Sequence, residues 1–456
     1  MTNQGDLIEI EITDLNSDGD GVGRVEDRVV FVPDTVTGDR VLVRLTYIKR
    51  QYILGKLHQL IQPSPYRIRP SCIVADKCGG CQWQHIDDEY QRIIKRDRIV
   101  RALERIGGFS QPNVAPILTN TSSLGYRNKA TYPLGISATG KVQTGYYRRN
   151  SHQIINLNQC PVQDPRLNPL LAEIKQDIER RGWTIYDEKQ HRGQLRHLSV
   201  RIGRRTGEML LTLISCDRHL QGIQEQAQIW LQRYPQLVGV ALNHNPKPTN
   251  VIFGSETQTI AGKDYLQENF AGLQLRLRPE TFFQVNTEVA EALLNTITEK
   301  LDLQGNEILI DAYCGIGTFA LPLAKRVKQV IGIEVQQASI EQAQLNAQIN
   351  EIDNVSFLAG EVKNVLPQLS VKPDIVLVDP PRKGCDRSVI DTLTQIRPPH
   401  LVYISCQPAT LARDLKLLCL HGNYQLIFSQ PADFFPQTSH VECAAFLRQK
   451  PTNMIG

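Results

Sequence analysis

No stretch of this chain approaches the run of about 18 apolar residues that a membrane-crossing helix needs, and an integral helical membrane protein is not expected. There is no low-complexity tract and no internal repeat. The opening Met1-Thr2-Asn3-Gln4-Gly5 lacks the basic and apolar regions of a signal peptide, so the expected location is cytoplasmic. Ten cysteines in a chain without secretory features are not expected to form a disulfide framework, and clustered ones point instead to metal or catalysis. What remains is the composition of a soluble globular protein, 41% hydrophobic and 21% charged. Its 456 residues are too many for one ordinary core and predict roughly three domains.

Acidic residues are missing where basic ones gather. Net charge is only +4, but between Arg44 and Arg105 thirteen Lys/Arg stand against six Asp/Glu. From Arg127 to Arg149, and again from Lys189 to Arg205, every charged side chain is basic. Tyr126, Tyr132, Tyr146 and Tyr147 are interleaved, a mixture that suits a phosphate backbone and unstacked bases. One such stretch would be a solvated face; three in one half of the chain point to a polyanion partner.

Ile8, Ile10 and Ile12 alternate with Glu9 and Glu11, the period of a half-buried strand. Short β-rich runs at Val29–Val32, Val41–Leu45 and Tyr52–Leu57 follow, predicting a small barrel of the OB type, a fold that commonly binds nucleic acid. Asp18 to Gly23 lacks the bidentate Glu of a calcium loop and the following helix of a nucleotide loop, and reads as a turn. Pro63, Pro65 and Pro70 mark a linker. Tyr90, Ile94, Ile99, Leu103 and Ile106 set an apolar stripe on a helix from Asp87 to Arg105, stopped by Gly107-Gly108. Residues 110–276 alternate strand-like and helix-like runs without a chemical signature. From Pro279 the pattern becomes βαβ, with buried strands expected at Glu307–Ala312, Val330–Glu334, Asp374–Val378 and Leu401–Ser405. That is an α/β, doubly wound parallel sheet. The division suggested is a barrel over 1–62, a central α+β domain over 63–276 and a Rossmann-like domain over 277–456.

Four motifs carry chemistry. In Ile308 to Gly317 a hydrophobic strand enters a turn where Gly315 and Gly317 let the backbone approach a ligand. Glu334 ends the next strand, 23 residues after Asp311, where an acid can accept both hydroxyls of a ribose. The third glycine of the dinucleotide fingerprint is missing, since Ala320 holds that place, so a nucleoside cofactor without a pyrophosphate fits better than NAD. In Val378 to Gly384 two prolines stiffen the backbone after Asp379 at another strand end, a rim where ligands of open α/β sheets collect. Cys406 ends a third strand on that rim with Pro408 close behind, which suits an exposed nucleophile, whereas Cys216, Cys419 and Cys443 read as small hydrophobes. Near the C-terminus Glu442 is available as a base. Cys72, Cys78 and Cys81 lie within ten residues in a Gly- and polar-rich loop, with Cys160 as the expected fourth ligand; on spacing, zinc and an iron–sulfur cluster both fit.

These motifs, in this order, resemble the RNA uracil-C5 methyltransferase family, in the branch with an N-terminal TRAM domain and a [4Fe–4S] cluster. The likeness covers nearly the whole chain. Its carriers are Cys72/Cys78/Cys81/Cys160, Phe283-Gln284-Val285-Asn286, Asp311 to Gly317, Asp379-Pro380-Pro381-Arg382, and Ser405-Cys406 with His440-Val441-Glu442. The resemblance implies that Gln284, Tyr313, Glu334 and Asp379 contact S-adenosylmethionine. It implies Cys406 as nucleophile, Glu442 as base, and an iron–sulfur cluster on the four cysteines. The TRAM barrel and basic stretches would hold RNA, with Arg127 and Lys129 among the contacts. Members with both TRAM and cluster mostly modify large-subunit ribosomal RNA, so 23S rRNA is the expected substrate and transfer RNA the alternative. No membrane and no obligate protein partner are expected. One departure is Gln407, where the family usually has Asn.

Two other readings compete. An N-methyltransferase acting on an exocyclic amine also uses an acid or Asn followed by two prolines, but needs no nucleophilic cysteine and usually carries an aromatic where Arg382 stands. A non-catalytic RNA-binding iron–sulfur protein would keep the methyltransferase fold only as a scaffold.

Overall fold

The computed structural model describes residues 2–451. Its N-terminal portion is a six-stranded sheet that closes on itself. Leu7–Glu11 pairs antiparallel with Arg40–Ile48 at one edge, and the same segment, continued as Asp14–Leu15, pairs with Gly21–Val25 at the other. Inward-facing Ile10, Ile12, Val30, Val32, Val41, Val43 and Ile53 fill the interior. The expected turn over 18–23 is half strand. A Cβ on Gly21 would lie 1.9 Å from the Thr35 hydroxyl, so the glycine is there for close approach inside the barrel.

The helix expected from Asp87 forms over Asp88–Ala102, capped by the Asp87 carboxylate on the N–H groups of Glu89 and Tyr90. It continues as one wide turn, Leu103–Gly107, and ends where Gly108 takes φ 76°. Its buried face carries Gln91 and Lys95 as well as Ile94 and Ile99, and those polar residues matter below. A seven-stranded mixed sheet between Lys129 and Gly262 packs against helices Asn168–Arg181 and Ile223–Arg233, and a hairpin of Leu266–Phe270 with Leu273–Leu277 leads onward.

The C-terminal sheet positions the site. Its strands are β1 (Ile308–Ala312), β2 (Gln329–Glu334), β3 (Val355–Ala359), β4 (Ile375–Val378), β5 (His400–Ser405), β6 (Tyr424–Ala432) and β7 (Glu442–Gln449), in the order β3-β2-β1-β4-β5-β7-β6. The first five run parallel and β7 runs antiparallel to β5. The four strands expected from hydrophobic runs are those buried on both faces. β3 escaped because it is half exposed at the edge and shows no such run. Among the described residues no helix is long and apolar enough to cross a membrane.

Candidate active site

Tyr313, directly after β1, adopts φ 76°, rare for a non-glycine residue. The N–H groups of Tyr313 and Cys314 both donate to the carbonyl of Ile333, which pins the glycine turn to the end of β2. Gly315 follows at φ 56° and donates its N–H to Glu334 Oε2 (3.2 Å), while Glu334 Oε1 accepts from Gln336 N (2.9 Å). The acid expected to grip a ribose is thus held rigidly by the loop it faces. Gln284 is buried in the loop before helix Thr287–Leu301, its carbonyl accepting from Asn128 Nδ2 at 2.9 Å. Asn286 caps that helix through Val289 N and donates to the carbonyls of Asp433 and Phe434, tying this motif to the C-terminal loop.

Asp311 was not singled out from sequence as a site residue, yet it is the most unusual acid here. It is 1% exposed, and its Oδ2 has no hydrogen-bond partner. Burial, then the neighbouring Asp379 carboxylate and, more weakly, Glu334, push its carboxyl up to about 8. Burial likewise pushes Asp379 up to about 7. Asp311, Glu334 and Asp379 thus bring three carboxyls together at the ends of adjacent strands, where a cation would favour their ionisation. The available signal was position: Asp311 sits on the strand that enters the glycine turn.

Beside them lie Cys406 and Glu442. Strands β5 and β7 pair as far as Ser405 opposite Cys443, and Cys406 and Glu442 are the next residues on either side of that last pair. Burial raises the Cys406 thiol, Glu442 and Asp379 add to the rise, and the Arg382 guanidinium opposes it. Burial, then Asp379, push Glu442 up to about 8, again against Arg382. Cys406, Glu442, Asp379 and Arg382 therefore share one electrostatic neighbourhood. Gln407 lies at the start of helix Pro408–His421, and its N–H donates to the Ser405 hydroxyl.

The loop leading to Glu442 is braced by the helix over Asp88–Ala102. Lys95, fully buried, donates to Asp433 Oδ1 at 2.6 Å and to the Phe435 carbonyl at 3.0 Å. Gln91 and Gln437 exchange side-chain and backbone hydrogen bonds, and Arg98 donates both to Ser439 O and to Asn16 O in the barrel. Apolar periodicity located this helix and concealed its function, because the functional residues are the polar ones on its inward face.

Cys72, Cys78, Cys81 and Cys160 all line one small cavity, closed by Gly80 and Tyr146. Among the described residues no group of three or more His, Cys, Asp or Glu is gathered as the ligands of a metal ion. Burial raises the Cys78 thiol and pushes Cys81 up to about 12 and Cys160 up to about 11. A Cβ on Gly79 would lie 2.8 Å from the Tyr147 carbonyl, which explains a glycine in this loop. Arg127 and Lys129 are both half-buried. The Arg127 Nε donates to the Lys129 carbonyl, and the Lys129 ammonium lies 4.8 Å from the centre of the Phe253 ring.

A sheet in this order, parallel except for β7, with a glycine turn after β1 and an acid closing β2, is the α/β fold of the doubly wound methyltransferases. The model of the tRNA (uracil-5-)-methyltransferase family matches residues 109–450 and that of the TRAM domain residues 2–58; the chain belongs to the tRNA (uracil-5-)-methyltransferase family. It is 66% identical to an uncharacterized RNA methyltransferase of Nostoc sp. (strain PCC 7120) over 97% of this chain and 96% of that protein. It is 58% identical to another from Synechocystis sp. (strain PCC 6803), over 98% and 96%. Its fold is similar to that of the Pyrococcus abyssi tRNA (uracil-54, C5)-methyltransferase, solved in complex with S-adenosyl-L-homocysteine. That likeness has TM-score 0.77 and 28% identity, covering 96% of this chain and 99% of that one.

Proposed function

We propose that this protein methylates C5 of a uridine in RNA from S-adenosylmethionine, through a covalent bond between Cys406 and C6. The observation that carries the reading is that Cys406 and Glu442 adjoin the last pair of two hydrogen-bonded strands, in one electrostatic neighbourhood with Asp379. C5 of uracil is a poor nucleophile. Addition of the Cys406 thiolate to C6 makes the ring an enolate, and C5 then has the electron pair to form a new carbon–carbon bond. S-adenosylmethionine, when bound, supplies the methyl group as an electrophile, and Tyr313, Glu334, Asp379 and Gln284 are the residues assigned to hold it. Glu442 takes the C5 proton, the C5–C6 double bond re-forms, and the Cys406 thiolate leaves. Covalent catalysis thereby divides one hard step into easier ones. The base must leave its stack to reach Cys406, with the TRAM barrel and basic stretches holding the flanking strand.

RNA containing 5-fluorouridine tests this directly, because fluorine at C5 cannot be abstracted as a proton. A cofactor-dependent covalent complex that Cys406→Ala abolishes is the expected result; a complex that persists in that variant sinks the mechanism. The same experiment separates an N-methyltransferase and a non-catalytic RNA-binding protein, neither of which forms the adduct.

The proposed RNA is 23S ribosomal RNA, a reading that rests on the family branch with TRAM and cluster. The likeness to an archaeal tRNA enzyme favours transfer RNA as the second reading. Mapping 5-methyluridine in both RNAs from a strain lacking the protein decides between them. The four cysteines are proposed to hold a [4Fe–4S] cluster. Four thiols around one cavity are a suitable donor set, and a cationic centre among them would offset the burial that raises Cys78, Cys81 and Cys160. The cluster would tie the 72–81 loop to Cys160. Protein purified without oxygen should be brown and contain iron; a colourless zinc protein overturns the assignment. Arg127 and Lys129 remain proposed RNA contacts, and the cytoplasm the proposed location.

A further inference from the structure

The turn that follows Asp379-Pro380-Pro381 is fastened to the helix that follows Cys406, and one buried carboxylate makes most of the attachment. Asp414, 1% exposed, lies on helix Pro408–His421. Its Oδ2 accepts from the Tyr403 hydroxyl at 2.5 Å and from the Cys385 backbone N–H at 3.0 Å. The Tyr403 oxygen also accepts from Cys385 N at 3.1 Å, and Tyr403 lies on β5 close before Cys406. Asp414 Oδ1 holds Arg413 Nε at 2.7 Å, which aims Arg413 Nη2 at the Lys383 carbonyl at 3.0 Å. Thr410, one turn earlier, donates to the Arg382 carbonyl at 3.4 Å. Gly384 completes the fit: it has φ 81°, and a Cβ there would lie 2.5 Å from Asp414 Oδ2.

The Arg382 and Lys383 carbonyls are held from the helix, and the Cys385 N–H from the helix and from Tyr403 on β5. The Arg382 side chain itself is exposed, so its position is set by its backbone rather than by side-chain packing. We propose that Asp414 is a positioning residue for the methyl transfer, locking the 382–385 turn to the nucleophile's helix so that the Arg382 charge stays beside Cys406 and Glu442. The charged groups facing the Cys406 thiol are Glu442 from β7 and Asp379 and Arg382 from the turn, and of these Arg382 alone favours the thiolate, with the Cys406 backbone N–H adding a smaller effect.

The proposal takes Cys406 as the nucleophile and so rests on the function proposed above, but its test does not need RNA. The pH dependence of Cys406 alkylation by iodoacetamide, followed on the Cys406 peptide by mass spectrometry, reads the thiol directly. In Asp414→Asn the profile should move to higher pH by about half a unit or more, roughly a threefold loss of thiolate at any lower pH. The sign is diagnostic. Removing a negative charge with no repositioning would move the profile down or leave it, and either result overturns the proposal. Arg382→Gln should give the same upward shift, and the double variant no more than the single ones; full additivity also overturns it. If Asp414→Asn does not fold, Arg413→Gln, at the helix surface, loosens the same turn and should shift the profile in the same direction. Should Cys406→Ala retain methylation, the assigned mechanism fails while the alkylation shift still reports on Asp414.

Discussion

Cys406 and Glu442 adjoin the last pair, Ser405 opposite Cys443, at the end of strands β5 and β7. Glu442 makes Cys406 harder to ionise, and Asp379 does the same to both. The Glu442 carboxylate adds to the rise of the Cys406 thiol that burial begins, and burial with Asp379 pushes Glu442 up to about 8. Near neutral pH the resting pair therefore mostly holds its protons, and in the proposed reaction Arg382 is the cation that favours the Cys406 thiolate.

Glu442→Gln separates the two halves of the proposed reaction. It removes one of the causes raising Cys406, so adduct formation should begin at lower pH than in the parent protein. It also removes the group that takes the C5 proton, and a general base typically contributes about 10²–10⁴-fold. Methylation should fall within that range while a covalent RNA complex accumulates on ordinary uridine, visible as a band shift in a denaturing gel. Undiminished turnover, or loss of the adduct together with turnover, would place the base elsewhere.

The three acids at the strand ends predict a proton release. With Asp311 pushed up to about 8 and Asp379 to about 7, the first is mostly and the second about half protonated in the free protein at pH 7. S-adenosylmethionine carries a sulfonium charge that S-adenosylhomocysteine lacks, and a nearby cation lowers a carboxyl pKa. Calorimetry in buffers of different ionisation enthalpy should show more protons released by the first ligand than by the second. Equal release would mean that the sulfonium does not lie against these acids.

The same carboxyls set a pH dependence of stability. Their folded pKa values lie above the unfolded value of about 3.9 for Asp. The folded chain therefore binds more protons between the two values, and the stabilisation is full below about pH 4 and lost as pH rises through 7 to 8. Asp311→Asn removes the largest such rise outside the proposed catalytic pair. Relative to the parent, that variant should gain thermal stability between pH 6 and 9; a constant difference across that range would show that Asp311 is ionised throughout.

How much of this was legible in the sequence follows from what each feature depends on. Strands β1, β2, β4 and β5 are buried on both faces, so their hydrophobic runs declared them, and with them the rim bearing Glu334, Asp379 and Cys406. β3 is half exposed, and its composition says little about pairing. The juxtaposition of Cys406 with Glu442 is a matter of register between distant strands, which no local pattern carries. Asp311 and Asp414 are acids made unusual by burial, and burial of a polar residue is invisible until the fold surrounds it.

Lys95 and Asp433 show that point most sharply, and they yield the last prediction. Periodicity placed Lys95 on a helix, and the fold turned it inward to meet Asp433 at 2.6 Å with neither side chain appreciably exposed. Such a pair is weak evidence of net stabilisation, because two charges were taken out of water to form it. Removing one partner is another matter, since the remaining charge is buried alone, at a typical cost of roughly 3–5 kcal/mol. Lys95→Met should therefore lower the unfolding midpoint clearly, whereas Lys95→Met with Asp433→Leu should recover most of the loss. The two differ from a purely structural pair in what happens to activity. Lys95 also holds the Phe435 carbonyl, and the segment from Asp433 to Ser439 leads directly to Glu442. The double variant should thus be folded but slow, with C5 proton removal impaired and covalent RNA complex enriched, as in Glu442→Gln. Recovery of both stability and turnover would show that the brace holds the fold alone and leaves Glu442 to be positioned by β7.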